Sequence, residues 1–256
     1  MTPDIVVDIG NSRMKWGWGQ PIMTASLPPD DPAAWDAQLT ALPVSGPLSW
    51  AVASVDPARL DRFTSWATNR RDFVRVITNA DIRLPIDVEE LARVGIDRLL
   101  NAVAARALYE GETFAPGTHI VVIDIGSAMT IDLLHHGMIF RGGAILPGPW
   151  MMARGLHEFT AKLPHVDPWT AVPAVAFGRN TTQAIQSGIQ AAVLGAAVAF
   201  LWDIGDPPDD PKPAVVVTGG GREFLRGLWN MAELEALAVA PTLTLEGIRI
   251  AAGALP

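Results

Sequence analysis

Hydrophobic and polar residues form the same pattern at two places along the chain. Apolar, mostly β-branched residues from Ile120 end at Asp124, a Gly-Ser turn follows, and a short alternating segment reaches Asp132. Such residues favour a buried strand, and glycine beside small polar residues favours a tight turn. Residues 5–18 repeat the arrangement, with Asp8 in the place of Asp124, so the spacing is 124 − 8 = 116 residues. That spacing is too long for a solenoid repeat and predicts two related domains.

The segment after the first turn predicts alternating strands and helices. In chain order these are a helix at 32–42, a strand at 48–55, a helix at 58–69, a strand at 73–78 and a helix at 97–109. Asp31-Pro32 and Asp56-Pro57 are typical helix starts, with aspartate as the N-cap and proline at the first helical position. Strands alternating with helices after an opening hairpin predict an α/β layered domain.

The second half of the chain is predicted to follow the same plan. A turn-rich stretch at 111–117 marks the expected domain boundary. Beyond the second strand–turn–strand unit, we predict a Gly/Pro loop at 141–149, helices at 150–159 and 179–202, a strand at 214–218 and a last helix from about Leu245.

Composition excludes several classes of function. The 256 residues are 49% apolar and 18% charged, which is typical of a globular protein. The net charge of −8 argues against a nucleic-acid surface, which needs clustered Lys and Arg. The absence of cysteine excludes disulfides and thiolate chemistry. With no signal-peptide pattern, and an apolar stretch (189–202) shorter than the roughly 20 residues that span a bilayer, we expect a cytoplasmic protein without a membrane partner.

The two turns are candidate phosphate sites. Gly10-Asn11-Ser12 and Gly126-Ser127-Ala128 are small enough for an anion to approach backbone N–H groups closely. Asp8 and Asp124 would lie beside the phosphates, where a carboxylate requires a cation or a bound water. One such turn alone is more often a plain hairpin, but its duplication favours phosphate binding. Arg13 and Lys15 follow the first turn and could face a phosphoryl group or only solvent.

Two further segments carry chemistry. In Gly95-Ile96-Asp97-Arg98, the carboxylate at a helix start could accept a proton from a hydroxyl and the arginine could pair with a carboxylate. From this tetrapeptide alone, however, an N-cap with a surface arginine is the favoured interpretation. Gly219-Gly220-Gly221 directly follows a strand and could admit an adenine or a ribose, or be only a strand-to-helix turn. No histidine pair has ligand spacing, and the nine tryptophans are expected mainly in cores and interfaces.

Taken together, these residues resemble a type III pantothenate kinase of the acetate and sugar kinase/heat-shock chaperone/actin superfamily. Each motif alone is weak, but their order and spacing are specific. The matching segments are DIGNSRMKWG at 8–17, GIDR at 95–98, DIGSAMTID at 124–132, GGAILPG at 142–148, TAKLP at 160–164, GRNTTQAIQSG at 178–188, TGG at 218–220 and LTLEG at 243–247.

The resemblance implies two duplicated ribonuclease-H-like domains, each a mixed sheet with flanking helices, at residues 1–115 and 116–256. The second domain would carry a dimer-interface helix. The family phosphorylates pantothenate with ATP at its primary hydroxyl, the first step towards coenzyme A. It implies a homodimer that uses a monovalent cation, potassium or ammonium, and magnesium with ATP.

The resemblance implies a role for each residue that matches a functional position of the family's motifs. The resemblance makes Asp97 the general base and Asp124 the ligand of the monovalent cation. Pantothenate contacts correspond to Gly95, Arg98 and Thr181. The ATP-binding residues are Asp8, Gly10, Asn11, Ser12 and Lys15 in the first phosphate motif, Gly126, Ser127 and Ala128 in the second, and Gly219 and Gly220 in the adenosine motif.

Two departures from the family pattern leave alternatives open. Ser127 stands where the family usually has threonine, which keeps the hydroxyl. A family tyrosine just before the GIDR-type motif has no counterpart in residues 86–94, and the only tyrosine is Tyr109. The alternatives are a kinase of a related hydroxy-acid, or a non-catalytic nucleotide-binding regulator on the same scaffold.

Overall fold

The chain forms two compact units, each built on one sheet. The computed structural model describes residues 2–44, 46–110, 117–169, 176–204, 211–230 and 234–253. Unit 1 comprises Met1–Glu110 with Thr242–Pro256, and unit 2 comprises Gly111–Pro241. The expected boundary at 115/116 lies outside the described residues.

The strands and helices are numbered in chain order. The strands are β1 (Ile5–Ile9), β2 (Met14–Trp18), β3 (Met23–Leu27), β4 (Ser49–Ser54), β5 (Phe73–Val76), β6 (Ile120–Ile125), β7 (Ala128–His135), β8 (Ile139–Pro147), β9 (Ala214–Thr218) and β10 (Ala236–Val239). The helices are α1 (Pro32–Thr40), α2 (Pro57–Asn69), α3 (Ile96–Leu108), α4 (Pro149–Glu158), α5 (Thr181–Ile204) and α6 (Leu243–Ala251).

The two sheets have the same strand order. Unit 1 is ordered β3-β2-β1-β4-β5, and unit 2, read from the corresponding edge, is ordered β8-β7-β6-β9-β10. In each sheet the first strand pairs antiparallel with the second and parallel with the fourth. The central strands β1 and β6 are therefore buried between neighbours on both sides, as their apolar runs predict. The predicted α/β fold with duplicated mixed sheets is confirmed.

The aspartate–proline helix starts form as predicted. The side chain of Asp31 accepts the backbone N–H groups of Ala33 and Ala34 at the start of α1, and that of Asp56 accepts Arg59 at the start of α2. These helices cover a core of aromatic rings in unit 1, where the Trp16 and Trp50 rings meet edge to face at 5.0 Å. The tryptophans of this core are thus structural, as expected.

The segment 141–149, predicted as a loop, is mostly strand. Residues 141–147 are the last seven of the nine residues of β8, which pairs with β7. A β-carbon on Gly143 would lie 2.8 Å from Cα of Asp132, so this glycine permits close strand pairing rather than breaking it. The short edge strands β3 and β10 were not predicted. β3 is largely exposed and lacks the alternation that identifies a half-buried strand.

The C-terminal segment belongs to unit 1, which corrects its predicted place in the second domain. Helix α6 packs against α3, and a β-carbon on Gly247 would lie 2.6 Å from the backbone carbon of Leu100. Leu245 and Ile248 join a core cluster with Val6 and Leu100. A periodic apolar face predicts a helix, but it carries no information about which sheet the helix covers.

Helix α5 agrees with the helix predicted at 179–202 and extends beyond the apolar stretch at 189–202. Its 24 residues are enough to cross a membrane by length and composition alone. Ile189, Val193 and Ala197 nevertheless lie in the hydrophobic core of unit 2, and Gln190 donates from Nε2 to the backbone O of Phe224 at 2.7 Å. The helix therefore packs as a core helix of its unit.

Candidate active site

The first turn joins β1 to β2 and brings two opposite charges together. Asp8 and Lys15 are direct cross-strand partners and both are half-buried. The turn closes where the N–H of Gly10 donates to the backbone O of Arg13 at 3.0 Å. Asn11 and Ser12 lie at its exposed tip. The predicted residues of the first phosphate motif are therefore adjacent, with the carboxylate and the ammonium on neighbouring strands.

Arg59 of α2 holds this turn, and sequence analysis missed it. Its Nη1 donates to the backbone O of Asn11 at 2.6 Å and of Gly10 at 3.1 Å. The same guanidinium forms an ion pair with Asp30 at 3.1 Å and lies 3.5 Å from Asp56. The arginine thus satisfies two carbonyl groups whose partial negative charge would otherwise oppose an anion at the turn. Arg59 lies in the first turn of α2, and nothing in the sequence around it marks it as a site residue.

The start of α3 places Asp97 in a constrained geometry. Gly95 is the N-cap, and Asp97 folds back so that Oδ1 accepts the N–H of Arg98 at 2.9 Å. Asp97 and Arg98 are half-buried. The positive end of the helix dipole favours a carboxylate at this position. Gly95, Asp97 and Arg98 therefore lie together at the N-terminus of α3.

The rest of α3 is anchored in the core of unit 1. Leu99 and Leu100 are fully buried. On its other turns, Asn101 accepts a hydrogen bond from Thr244 of α6 at 2.8 Å in a buried position. A site carried by a helix that is fixed in this way is positioned precisely.

In unit 2, the second turn meets the glycine segment after β9. Asp124 pairs across the parallel strands with Thr218, the residue before Gly219. Gly219 has φ +86°, and a β-carbon there would clash with Oδ1 of Asp124 and would lie 2.5 Å from the backbone O of Ile125. The N–H of Gly221 donates to that same carbonyl at 2.8 Å. The structure thus brings Asp124 beside Gly219, which lies 95 residues later in the sequence (219 − 124).

The N-terminus of α4 also borders the second turn. Gly126 donates to Ala128 at 2.9 Å to close the turn, and Gly148, the N-cap of α4, donates to the backbone O of Ser127 at 3.1 Å. A β-carbon on Gly148 would lie 2.5 Å from that oxygen. Gly148 was missed as a site residue, although glycine before proline at a helix start marks such a position.

Thr181 borders a cavity in unit 2. It is exposed at the first position of α5 and lines an open apolar cavity of about 660 Å³ between α4 and α5, with Met151, Met152 and Ile185. Thr181 belongs to unit 2, whereas Gly95 and Arg98 belong to unit 1.

Solved structures of related fold and related sequences agree. An archaeal actin homologue superposes with a TM-score of 0.54 at 12% identity over 97% of this chain and 99% of its own. The ethanolamine utilization protein EutJ from Carboxydothermus hydrogenoformans gives 0.50 at 14% identity over 97% and 89%. At these identities the likeness concerns the fold alone.

Sequence relatives define the family. A model described as type III pantothenate kinase matches residues 5–201. A type III pantothenate kinase of Gloeobacter violaceus is 34% identical over 260 aligned positions, covering 97% of each chain. One from Gluconobacter oxydans is 32% identical over 203 positions, covering 78% of this chain and 70% of the relative. The chain therefore belongs to the type III pantothenate kinase family.

Proposed function

We propose that this protein transfers the γ-phosphate of ATP to the primary hydroxyl of pantothenate, the first step of coenzyme A biosynthesis. The observation that carries the proposal is the carboxylate of Asp97, held over the first turn of α3 by its bond to the Arg98 N–H. A carboxylate fixed at an accessible helix start is suited to accept a hydroxyl proton. Family membership and the duplicated turns support the same reaction.

The turns of the two units are proposed to bind the phosphates of ATP. Asp8, Gly10, Asn11, Ser12 and Lys15 form the first turn and its flanks, and Gly126, Ser127 and Ala128 form the second. Backbone N–H groups at such turns bind anions, and the ammonium of Lys15 adds positive charge for a transferring phosphoryl group. Gly219 and Gly220 are assigned the adenosine, and Gly220 is exposed with nothing within 4 Å of the position of a β-carbon.

The acceptor is proposed to lie against the start of α3. Asp97 is assigned the general base, because proton transfer requires a carboxylate within hydrogen-bond reach of the hydroxyl. Arg98 offers a planar pair of donors for the carboxylate of pantothenate. Gly95 leaves room beside both side chains, and Thr181 is assigned a further contact with pantothenate.

The residues around Asp124 fit a hard cation. The missing side chain at Gly219 keeps open the space beside two oxygens, Oδ1 of Asp124 and the backbone O of Ile125. Oxygen donors of this kind suit potassium and magnesium. We assign Asp124 the monovalent cation, potassium or ammonium, and expect magnesium to arrive with ATP. These cations, when bound, offset phosphate charge.

A cytoplasmic homodimer is part of the proposal. Exposed apolar side chains lie on α4 and α5, including Trp150, Met151 and Trp202, and Met151 also lines the apolar cavity between these helices. Burial of such a surface against a second copy favours association. Sedimentation of the purified protein tests this: a mass of two chains is expected, and a monomer at all concentrations contradicts it.

The reaction is tested by ADP release from purified protein with ATP, magnesium and potassium. Pantothenate is expected to stimulate release, and replacing potassium by sodium is expected to reduce it. Release with another hydroxy-acid but not with pantothenate indicates a changed acceptor, which the missing tyrosine motivates. Binding of ATP without release with any acceptor contradicts the kinase and identifies a regulator.

A further inference from the structure

Three histidine rings gather in unit 2 at the end of β6 that lies away from Asp124. His119 immediately precedes β6, His135 ends β7, and His136 begins the turn into β8. Ring centroids lie 4.8 Å apart for His119 and His135, 5.1 Å for His119 and His136, and 3.8 Å for His135 and His136. One possible ligand atom from each ring lies within 4.8 Å of the other two.

The backbone explains how neighbouring residues reach the same place. Adjacent residues of a strand point to opposite faces, and on that basis the sequence predicted no histidine ligand. His136, however, follows the last residue of β7 and has φ 50°. This left-handed conformation, uncommon for a residue other than glycine, turns the chain and ends the alternation. The ring of His136 therefore stacks against His119 at an interplanar angle of 24°.

Backbone hydrogen bonds define the protonation of two rings. Nδ1 of His136 lies 2.9 Å from the carbonyl of Gly117, so Nδ1 carries the proton and Nε2 carries the lone pair. A carbonyl that holds the second ring nitrogen is the usual arrangement for metal-binding histidine. Nδ1 of His119 accepts the backbone N–H of His136 at 3.0 Å, which places the lone pair of that ring on Nδ1. A metal taking this lone pair replaces one hydrogen bond and displaces no proton.

We propose that His119, His135 and His136 bind one divalent transition-metal ion of the zinc, nickel or copper type. The group offers imidazole nitrogens, which these metals prefer, whereas magnesium prefers oxygen. His136 is exposed and gives access from solvent. The ion joins the start of β6 to the β7–β8 turn. Because it lies roughly 16 Å along β6 from Asp124, it stabilises unit 2 and takes no part in phosphoryl transfer.

The test measures zinc binding to the metal-stripped full-length protein by calorimetry. One zinc ion is expected per chain, with no comparable heat from magnesium chloride. His136→Asn keeps a residue that tolerates the left-handed backbone, and it is expected to lose roughly tenfold or more in zinc affinity, the scale on which even outer partners of metal ligands act. The melting temperature of the wild type is expected to rise with zinc concentration, and that of the variant to rise less at each concentration.

His157→Gln is the matched control. His157 lies in α4, where its ring faces that of His165 at 5.7 Å and contacts the carbonyl of Leu163. The His157→Gln substitution removes one histidine from unit 2 but none from the cluster. The variant is therefore expected to bind zinc as the wild type does. Equal zinc affinity in the wild type and His136→Asn, or an equal loss in His157→Gln, overturns the proposal. His136 is exposed, so its substitution leaves the fold intact and the result interpretable.

Discussion

Oδ1 of Asp97 lies 2.5 Å from the position that a β-carbon on Gly95 would occupy. The same oxygen accepts the N–H of Arg98 at 2.9 Å, so the carboxylate is folded back across the first turn of α3. The backbone at position 95 does not need glycine, because its φ of −58° is one that any residue adopts. Glycine is needed there because a side chain would collide with the Asp97 carboxylate.

Gly95→Ala is expected to lower kcat with little change in stability. The new methyl group pushes the Asp97 carboxylate from its position, and a displacement of about 1 Å at a catalytic group can cost roughly 100-fold in rate. Steady-state ADP release and thermal unfolding measure the two effects. Gly195→Ala, in the exposed face of α5 where a β-carbon meets nothing within 4 Å, is the control. Unchanged kcat in Gly95→Ala contradicts the assigned role of the carboxylate position.

Asp97→Asn tests the proton acceptor itself. The amide keeps an oxygen that can accept the Arg98 N–H, so the helix start is preserved, but it cannot take a proton from a hydroxyl. A loss of roughly 10²- to 10⁴-fold in kcat is expected, the usual contribution of a general base. Affinity for ATP, measured by calorimetry, is expected to stay close to that of the wild type. Normal turnover in this variant assigns the base elsewhere.

Arg59→Met is expected to weaken ATP binding. It removes the hydrogen bonds to the carbonyls of Gly10 and Asn11, and bonds from a charged donor contribute about 1.5–3 kcal/mol. KM for ATP should rise roughly tenfold or more while KM for the acceptor stays unchanged. Arg62→Met is the matched control on the same helix, since Arg62 also pairs with Asp30 but lies outside the turn's hydrogen bonds. Equal effects of the two substitutions refute a specific role for Arg59.

Neighbouring glycines after β9 are expected to differ sharply on substitution. Gly219→Ala must place a β-carbon against Asp124 and Ile125 at φ +86°, whereas a β-carbon on Gly220 meets nothing within 4 Å. Strain and overpacking together are expected to lower the free energy of unfolding of the first variant by about 2 kcal/mol or more. Urea unfolding should show Gly220→Ala close to the wild type. Similar losses in both variants contradict the described contact.

Asp81 makes the stability of unit 1 depend on pH. Partial burial acts to raise its pKa, but hydrogen bonds from Thr78 and Arg75 favour the carboxylate and hold the pKa below its ordinary value of 3.8. A lowered pKa contributes stability above 3.8 that is lost as pH falls through the folded value. Asp81→Asn should therefore be less stable than the wild type at neutral pH, and the difference in urea unfolding should shrink below 3.8. Asp61→Asn, at an exposed position of α2, serves as the control.

Local patterns in the sequence predicted most of the fold. The buried central strands, the aspartate–proline helix starts and the duplicated turns are all encoded within a few residues, so periodicity and turn chemistry reveal them. The closeness of Asp124 and Gly219 was not predicted, and the parallel pairing of β6 with β9 explains it. The edge strand β8 was missed because Gly142 and Gly143 indicate a turn unless the neighbouring strand is known.

Features that depend on distant pairings could not be predicted in this way. Arg59 meets the first turn 49 residues earlier in the chain, and nothing around it distinguishes it from Arg62. His119 and His136 are brought together by the register of β6 with β7 and by one left-handed residue. Hydrophobic periodicity reports which face of an element is buried, but not which residues of another element it meets.

The return of α6 to the first unit sets an order of assembly. The helix that carries Asp97 is completed by a partner encoded more than 140 residues later, as the bond between Asn101 and Thr244 shows with a separation of 143 residues. Contacts of such long sequence separation form late and slowly. During translation, all of unit 2 is therefore synthesised before α6 is available to complete the core of unit 1. The start of α3, which carries the proposed acceptor site, is therefore translated before unit 2 but reaches its final packing only after unit 2 has been made.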